Sequence, residues 1–203
     1  MFTGIIQAIG NVRATESKGG DSRLRFAVGD LRFDQLSLGD SIAVNGACLT
    51  VTALNDGEFV ADVSQETLGL TTLGELAVGD RVNLEPSLTL TTLLGGHLVS
   101  GHIDGIGKVA SIGRDARSTR VSIDLPESLV RYVARKGSIA VDGTSLTVND
   151  ISGARLEVNI VPHTQEATIM GEYEIGTRVN LEVDLIARYL ERLIDLPAQG
   201  ATD

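Results

Sequence analysis

Ser41-Ile-Ala-Val-Asn-Gly-Ala-Cys-Leu-Thr-Val51 returns as Ser138-Ile-Ala-Val-Asp-Gly-Thr-Ser-Leu-Thr-Val148, an offset of 97 residues. Arg81-Val-Asn-Leu-Glu85 returns as Arg178-Val-Asn-Leu-Glu182 at the same offset. Gly4, Ile6 and Gly10 map onto Gly101, Ile103 and Gly107, and Thr67, Thr71 and Gly74 onto Thr164, Thr168 and Gly171. Convergent composition would scatter the register, whereas one fixed offset over separated blocks marks a duplication.

Each copy reads as all-β. Leu24–Val28, Ser41–Val44, Leu49–Leu54, Phe59–Val63 and Arg81–Glu85 are short, largely alternating segments. Between them stand turns such as Leu38-Gly39-Asp40, Asn55-Asp56-Gly57 and Val78-Gly79-Asp80. The glycine-containing stretch Gly4–Asn11 reads as a bent strand of the same set. Several short strands in under 100 residues predict a small closed barrel, because closure removes exposed edges. Copy two adds a helical stretch after Pro126, where Leu129, Val130 and Val133 share a face.

The last segment leaves the repeat. Leu185 to Leu196 carries Ile186, Leu190 and Leu193 at helical spacing, continued by Pro197. The helix is predicted to end before Pro197, and Ala198–Asp203 reads as a frayed tail. Its apolar stripe has two possible partners, its own barrel or another chain.

Bulk properties narrow the function. The 203 residues carry a net charge of −10, with −6 in residues 1–97 (6 basic, 12 acidic) and −4 in the remainder (11 and 15). There is no Lys/Arg run to pair with a phosphate backbone, and aromatics make up 3% with no Trp, so nucleic acid is not expected as a partner. Cys48 is the only cysteine, which rules out an intrachain disulfide and suits a reducing compartment. No 18-residue apolar run and no leader-like start are seen. The expectation is a cytoplasmic protein that does not engage a membrane.

Standard sites fail on spacing. His97, His102, His163 and Cys48 match no zinc pattern, so no metal is expected. Gly101–Lys108 has the wrong glycine spacing for a phosphate loop. A Ser-His-Asp hydrolase site lacks its Gly-x-Ser-x-Gly elbow.

The informative positions are those where the copies differ. Cys48 faces Ser145, Ile5 faces His102, Ser87 faces Asp184 and Gly39 faces Lys136. Each has a plain alternative: Cys48 as a small buried hydrophobe, Asp184 as a helix cap, His102 as a core histidine. Together they place ionisable groups beside the shared Leu-Thr-Val strand.

Met1-Phe-Thr-Gly-Ile-Ile6, Asn45–Val51, Gly95-Gly-His-Leu-Val-Ser-Gly-His-Ile103, Asp142–Val148 and Arg178–Asp184 followed by a helix together resemble the riboflavin synthase family over essentially the whole chain. The resemblance implies an all-β tandem duplication of a six-stranded antiparallel Greek-key barrel plus a C-terminal α-helix. The barrels would span 1–97 and 98–184, and 185–203 would form a helix and tail that assemble a homotrimer. It implies a transferase that needs no cofactor. Two molecules of 6,7-dimethyl-8-ribityllumazine would react at each active site, one donating a four-carbon unit to the other. That site would lie between the N-terminal barrel of one subunit and the C-terminal barrel of its neighbour.

Carried over residue by residue, the resemblance places one lumazine against Gly4, Ile5, Ile6, Cys48, Leu49, Thr50, Asp62, Val63, Ser64, Gln65, Glu66, Thr67, Gly101, His102 and Ile103, with Ser41 and Phe2 nearby. The other meets Lys136, Ser145, Leu146, Thr147, Asn159, Ile160, Val161, Pro162, His163 and Thr164. Its candidate catalytic residues are His102 with Thr147 across the interface for proton transfer at the 7-methyl group, Ser145 and Cys48 for adding to, or positioning water at, the electrophilic ring carbon, and Asp184 for polarising Ser145 or accepting a proton. Where some family members carry a second cysteine this chain has Ala47, which counts against a two-thiol mechanism. The alternative is a non-catalytic lumazine- or flavin-binding protein of the same fold. Retention of Cys48, His102, Ser145 and Asp184 together favours the enzyme. A flavin-binding barrel of a reductase would require a nicotinamide domain downstream.

Overall fold

Asn45-Gly46 and Asp142-Gly143 form two-residue hairpin turns with positive φ at both positions (45° and 81°; 42° and 78°). This is the type I′ geometry that Asn-Gly and Asp-Gly favour between twisted antiparallel strands. In the computed structural model, which describes residues 1–194, these turns are the midpoints of two closed barrels.

The first barrel comprises β1 (Ala8–Lys18), β2 (Asp21–Ala27), β3 (Ser41–Val44), β4 (Ala47–Asn55), β5 (Glu58–Val63) and β6 (Arg81–Pro86), with α1 (Gln65–Leu70) between the last two. The second comprises β7 (Gly105–Asp115), β8 (Ser118–Asp124), β9 (Ser138–Val141), β10 (Thr144–Ser152), β11 (Arg155–Ile160) and β12 (Arg178–Val183), with α2 (Pro162–Ala167). Around the first barrel the strand order is β1-β2-β5-β4-β3-β6, and the second repeats it. The 2-5-4-3 run is a Greek key. The expected fold class is therefore observed.

The duplication extends to irregularities. Register shifts at Val12/Ala14 and Val51/Ala53 recur at Val109/Ser111 and Val148/Asp150. Such bulges sharpen the bend that a six-stranded barrel needs. The cores differ in filling: Phe26 and Phe59 stack with centroids 5.1 Å apart in the first barrel, where the second has Ile123 and Leu156. The helical stretch after Pro126 is a 3₁₀ segment, Glu127–Tyr132, that buries Leu129 and Val133. It is not an addition, because copy one has a shorter turn of the same kind at Phe33–Gln35.

The barrels join along a pseudo-twofold seam. The two hairpin turns meet backbone to backbone, and a Cβ on Gly46 would lie 2.7 Å from the Gly143 nitrogen. Buried Asn83 donates through Nδ2 to the Asp142 carbonyl (2.8 Å), while Asn180 does the same to the Asn45 carbonyl (2.8 Å). Their Oδ1 atoms accept from Ile169 N and Thr72 N at 2.8 Å each, so each amide both donates and accepts across the seam. Arg81 pairs with Glu172 and Arg178 with Glu75 across the same seam.

The C-terminal helix, α3 (Leu185–Ile194), lies against its own second barrel through polar contacts, Arg131–Glu191 (3.1 Å) and Arg188–Asp104. Ile186, Leu190 and Leu193 remain exposed. The predicted end before Pro197 and the tail fall outside the described residues. Among the described residues no helix is long and apolar enough to cross a membrane.

The seam is asymmetric at one point. Asn45 Oδ1 accepts from Asn83 N, and its counterpart Asp142 accepts from Asn180 N (2.8 Å each). Asp142 also accepts from the Tyr173 hydroxyl at 2.5 Å. Full burial pushes the Asp142 carboxyl up to about 7, against the pull of Tyr173 and the Asn180 amide. A carboxyl raised in the folded state contributes fully below its unfolded pKa near 4, and that contribution is lost as pH rises through about 7. Asp142→Asn, which copies the first seam position, is therefore expected to raise the melting midpoint at pH 8 by about 2–4 °C, the shift given by ~1 kcal/mol at this size. The gain should shrink steadily as the pH is lowered towards 4, where the group becomes protonated in both states, as read by thermal denaturation across this range.

Candidate active site

Two buried carboxylates build the site by holding segments that cross from one barrel to the other. Glu85, at the end of β6, accepts from Thr3 N and Thr3 Oγ1 (2.7 Å each) and from Gly4 N (3.0 Å). Glu182, at the end of β12, accepts from Ser100 N (2.5 Å), Ser100 Oγ (2.7 Å) and Gly101 N (2.9 Å). Burial raises both glutamates above the ordinary range, opposed by these hydrogen bonds.

The held segments are exchanged. Gly4 O accepts from Ser145 N on β10 (2.8 Å), and Gly101 O accepts from Cys48 N on β4 (2.9 Å). Both glycines have positive φ (75° and 84°), and a Cβ on either would lie 2.6 Å from the Cβ of Ser145 or Cys48. Only glycine fits this approach. Gly4, Ile5 and Ile6, expected beside Cys48, therefore belong to a segment that crosses to Ser145. Gly101, His102 and Ile103 do join Cys48, lining a cleft of about 200 Å³ with Glu66, Thr67 and Thr71.

Strand alternation sorts the remaining candidates. Leu49, Val63, Leu146 and Ile160 point into the cores, so only their backbone reaches the outer surface. Thr50, Asp62 and Thr147 are exposed, and Asn159 is half-buried. Asp62 is held by Arg23 through two hydrogen bonds (2.8 and 3.1 Å), which keep its carboxyl below the usual range. At the equivalent place Arg120 turns to Asp115 and Glu157, leaving the Asn159 Oδ1 buried without a partner among the described residues. Ser64 caps α1 by accepting from Thr67 N (3.2 Å). Gln65 N donates to Asp21 (3.0 Å), and Glu66 lines the Cys48 cleft. Val161, Pro162, His163 and Thr164 form the matching start of α2. Ser41, opposite Thr50, lines a separate cleft of about 490 Å³ with Gln7 and Ser87.

Phe2 is fully buried with Ala43, Val99 and Ala140, behind Cys48 and Gly101. It shapes the site from beneath. His102 is exposed and is no core histidine. It stands by the first barrel while Thr147 is on the second. Asp184 caps α3, accepting from Ile186 N at 3.0 Å. Lys136 is exposed in a left-handed turn (φ 69°) where copy one has glycine. An L-residue with this φ is strained, so the lysine persists there at a cost in stability.

His97 fits no metal spacing and is not among the candidate site residues that the sequence offers. It lies beside Ser145, Nδ1 to Oγ 2.7 Å, with Asp184 close enough to act on its charge. Burial lowers its pKa, an effect that the Asp184 charge opposes. Serine, histidine and aspartate thus come together without a nucleophile elbow. Among the described residues no His, Cys, Asp or Glu group is arranged to hold a metal ion.

Comparison with known proteins recovers the same duplication. The lumazine binding domain model matches twice, over residues 3–87 and 100–184. Riboflavin synthase of Mycobacterium tuberculosis is 46% identical over 198 residues, covering 96% of this chain and 98% of that protein. The same enzyme of Photobacterium phosphoreum is 44% identical over 194 residues (96% and 89%), and that of Bacillus subtilis 38% over 202 residues (100% and 94%). Crystal structures of LumP complexed with 6,7-dimethyl-8-(1'-D-ribityl) lumazine and with riboflavin superpose with TM-scores of 0.82 and 0.84, at 27% and 28% identity, covering 90% of this chain and 99% of each LumP chain. With both barrels matched and full-length relatives well above 30% identity, the chain belongs to the riboflavin synthase family.

Proposed function

We propose that this protein is a riboflavin synthase, converting two 6,7-dimethyl-8-ribityllumazine molecules into riboflavin and 5-amino-6-ribitylamino-pyrimidinedione. The observation that carries the reading is the pair of pseudo-equivalent sites with unequal chemistry, one at Cys48 and one at Ser145, on a chain of this family. Like pockets suit two identical ligands, and unlike side chains suit opposite fates for them.

The lumazine ring supplies its own electron sink, since loss of a 7-methyl proton leaves a delocalised anion. The protein's task is then orientation and proton movement. We assign proton transfer at the methyl group to His102 with Thr147 of a neighbouring subunit, addition at the electrophilic ring carbon to Ser145 or Cys48, and charge stabilisation to Asp184 and Lys136. The reaction class is four-carbon transfer. The domain division used is 1–97, 98–184 and 185–203. The uncovered stripe Ile186, Leu190 and Leu193 supports a homotrimer built on α3, with active sites between unlike barrels of adjacent subunits.

Purified protein given the lumazine alone should form riboflavin, read by its absorbance and fluorescence. Cys48→Ser, His102→Gln and Asp184→Ala should each lower kcat, the histidine change by about 10²-fold or more. Wild-type turnover in all three folded variants would contradict the assignment, and bound fluorescence without riboflavin would indicate a passive binder. Lys136→Gly should stabilise the fold by about 1 kcal/mol through relief of left-handed strain while weakening ligand binding. Leu190→Glu should convert the trimer to monomers in sedimentation.

A further inference from the structure

A duplicated chain can be linked only once, and the linker breaks the symmetry of the two sites. After β6 the chain runs back as residues 87–97 and delivers Gly96 and His97 to the second barrel. After β12 it departs as α3. Adding the repeat offset to His97 gives Ile194, exposed at the far end of α3. The repeat therefore offers Cys48 no counterpart of His97.

The linker fixes the imidazole tightly. His97 N donates to Thr3 O at 3.1 Å, the same Thr3 that Glu85 anchors. Gly96 is packed so closely that a Cβ there would sit 2.2 Å from Thr3 O and 2.7 Å from the Ser145 Cβ. Its neighbour's ring then reaches Ser145 Oγ at 2.7 Å. The opposite ring nitrogen, Nε2, is buried without a hydrogen-bond partner among the described residues. An orphaned buried polar atom of this kind marks a place that a ligand or water completes.

We propose that His97 is the positioning residue for Ser145, orienting its hydroxyl and accepting its proton, so that the second site can form a covalent bond to its ligand. This rests on the functional reading above. In the step, Ser145 Oγ bonds to the electrophilic ring carbon of the bound lumazine as its O–H bond breaks. The hydroxyl proton moves to His97 Nδ1, and the C=N π pair moves to the ring nitrogen. When the C–O bond later breaks, the pair returns and the proton goes back to Oγ. No oxidant or reductant is consumed. Burial keeps the free imidazole neutral and able to accept, and the Asp184 charge favours the imidazolium once it forms. Asp184 acts through its field here, its Oδ1 being engaged by the Ile186 amide.

Two measurements test this. In the ligand-free protein, ¹⁵N NMR titration of His97 reads the pair without any turnover, and Ser145→Ala should shift both the Nδ1 resonance and the ring pKa. In the riboflavin-forming assay, His97→Gln should lower kcat at least tenfold, change lumazine affinity less than about threefold, and abolish the acid limb of the kcat profile. Imidazole should partly rescue His97→Ala, and His97→Gln combined with Ser145→Ala should be no slower than the slower single variant. A His97 titration unmoved by Ser145→Ala overturns the proposal. So does a folded His97→Gln that turns over at the wild-type rate with an unchanged pH profile. Failure of the wild type to form riboflavin contradicts the functional reading instead, and the NMR result then decides the pair by itself.

Discussion

Thr3-Gly4 and Ser100-Gly101 have polar backbone groups that must find partners where no water reaches, and Glu85 and Glu182 supply them. A buried carboxylate is stable only when its oxygens are filled, and a buried amide only when it has an acceptor. Each requirement satisfies the other. The result is that the start of each repeat is clamped to its own barrel while its glycine carbonyl reaches over to the opposite one. Everything at the candidate site follows from this exchange: the close approach that demands glycine, the burial of Phe2 beneath Cys48, and the placing of His102 beside the barrel of the other repeat.

Exchange makes the two sites alike, and the few mismatched positions make them unlike. Cys48 and Ser145 occupy equivalent points on β4 and β10 and donate equivalent backbone hydrogen bonds to Gly101 O and Gly4 O. Their surroundings then diverge. One has an exposed histidine, the other a half-buried imidazole at hydrogen-bond distance and a cap carboxylate at the start of α3. Asp62 is neutralised by Arg23, whereas Asn159 keeps an unused acceptor. A reaction between two copies of one molecule needs such a scaffold, symmetric enough to bind both and asymmetric enough to distinguish them.

The barrels were legible because their signal is local. Alternation, Gly- and Asp-bearing turns such as Asn55-Asp56-Gly57, and a fixed repeat offset survive in any context, and Ser41–Val44 is bounded to the residue. β1 was read only as far as Asn11, since its second half, Arg13–Lys18, is polar and follows a bulge that breaks the alternation. The seam and the exchange were not legible. Asn83 and Glu85 sit in a block noticed only as a repeat, and nothing in Arg-Val-Asn-Leu-Glu says that its polar residues cross to another barrel. A strand ending in two otherwise unexplained buried polar residues, repeated in both copies, was the available sign. His97 failed every metal spacing, and its pairing with Ser145 depends on a linker path that spacing does not encode.

The central claim is that each chain offers two pseudo-equivalent but unequal sites for the same ligand. Equilibrium titration with a lumazine analogue lacking the 7-methyl group, which binds without reacting, tests it directly. Two molecules per chain with different affinities are predicted, with Ser145→Trp abolishing one and leaving the other. A single ligand per chain, or loss of both sites in the folded variant, would contradict the account.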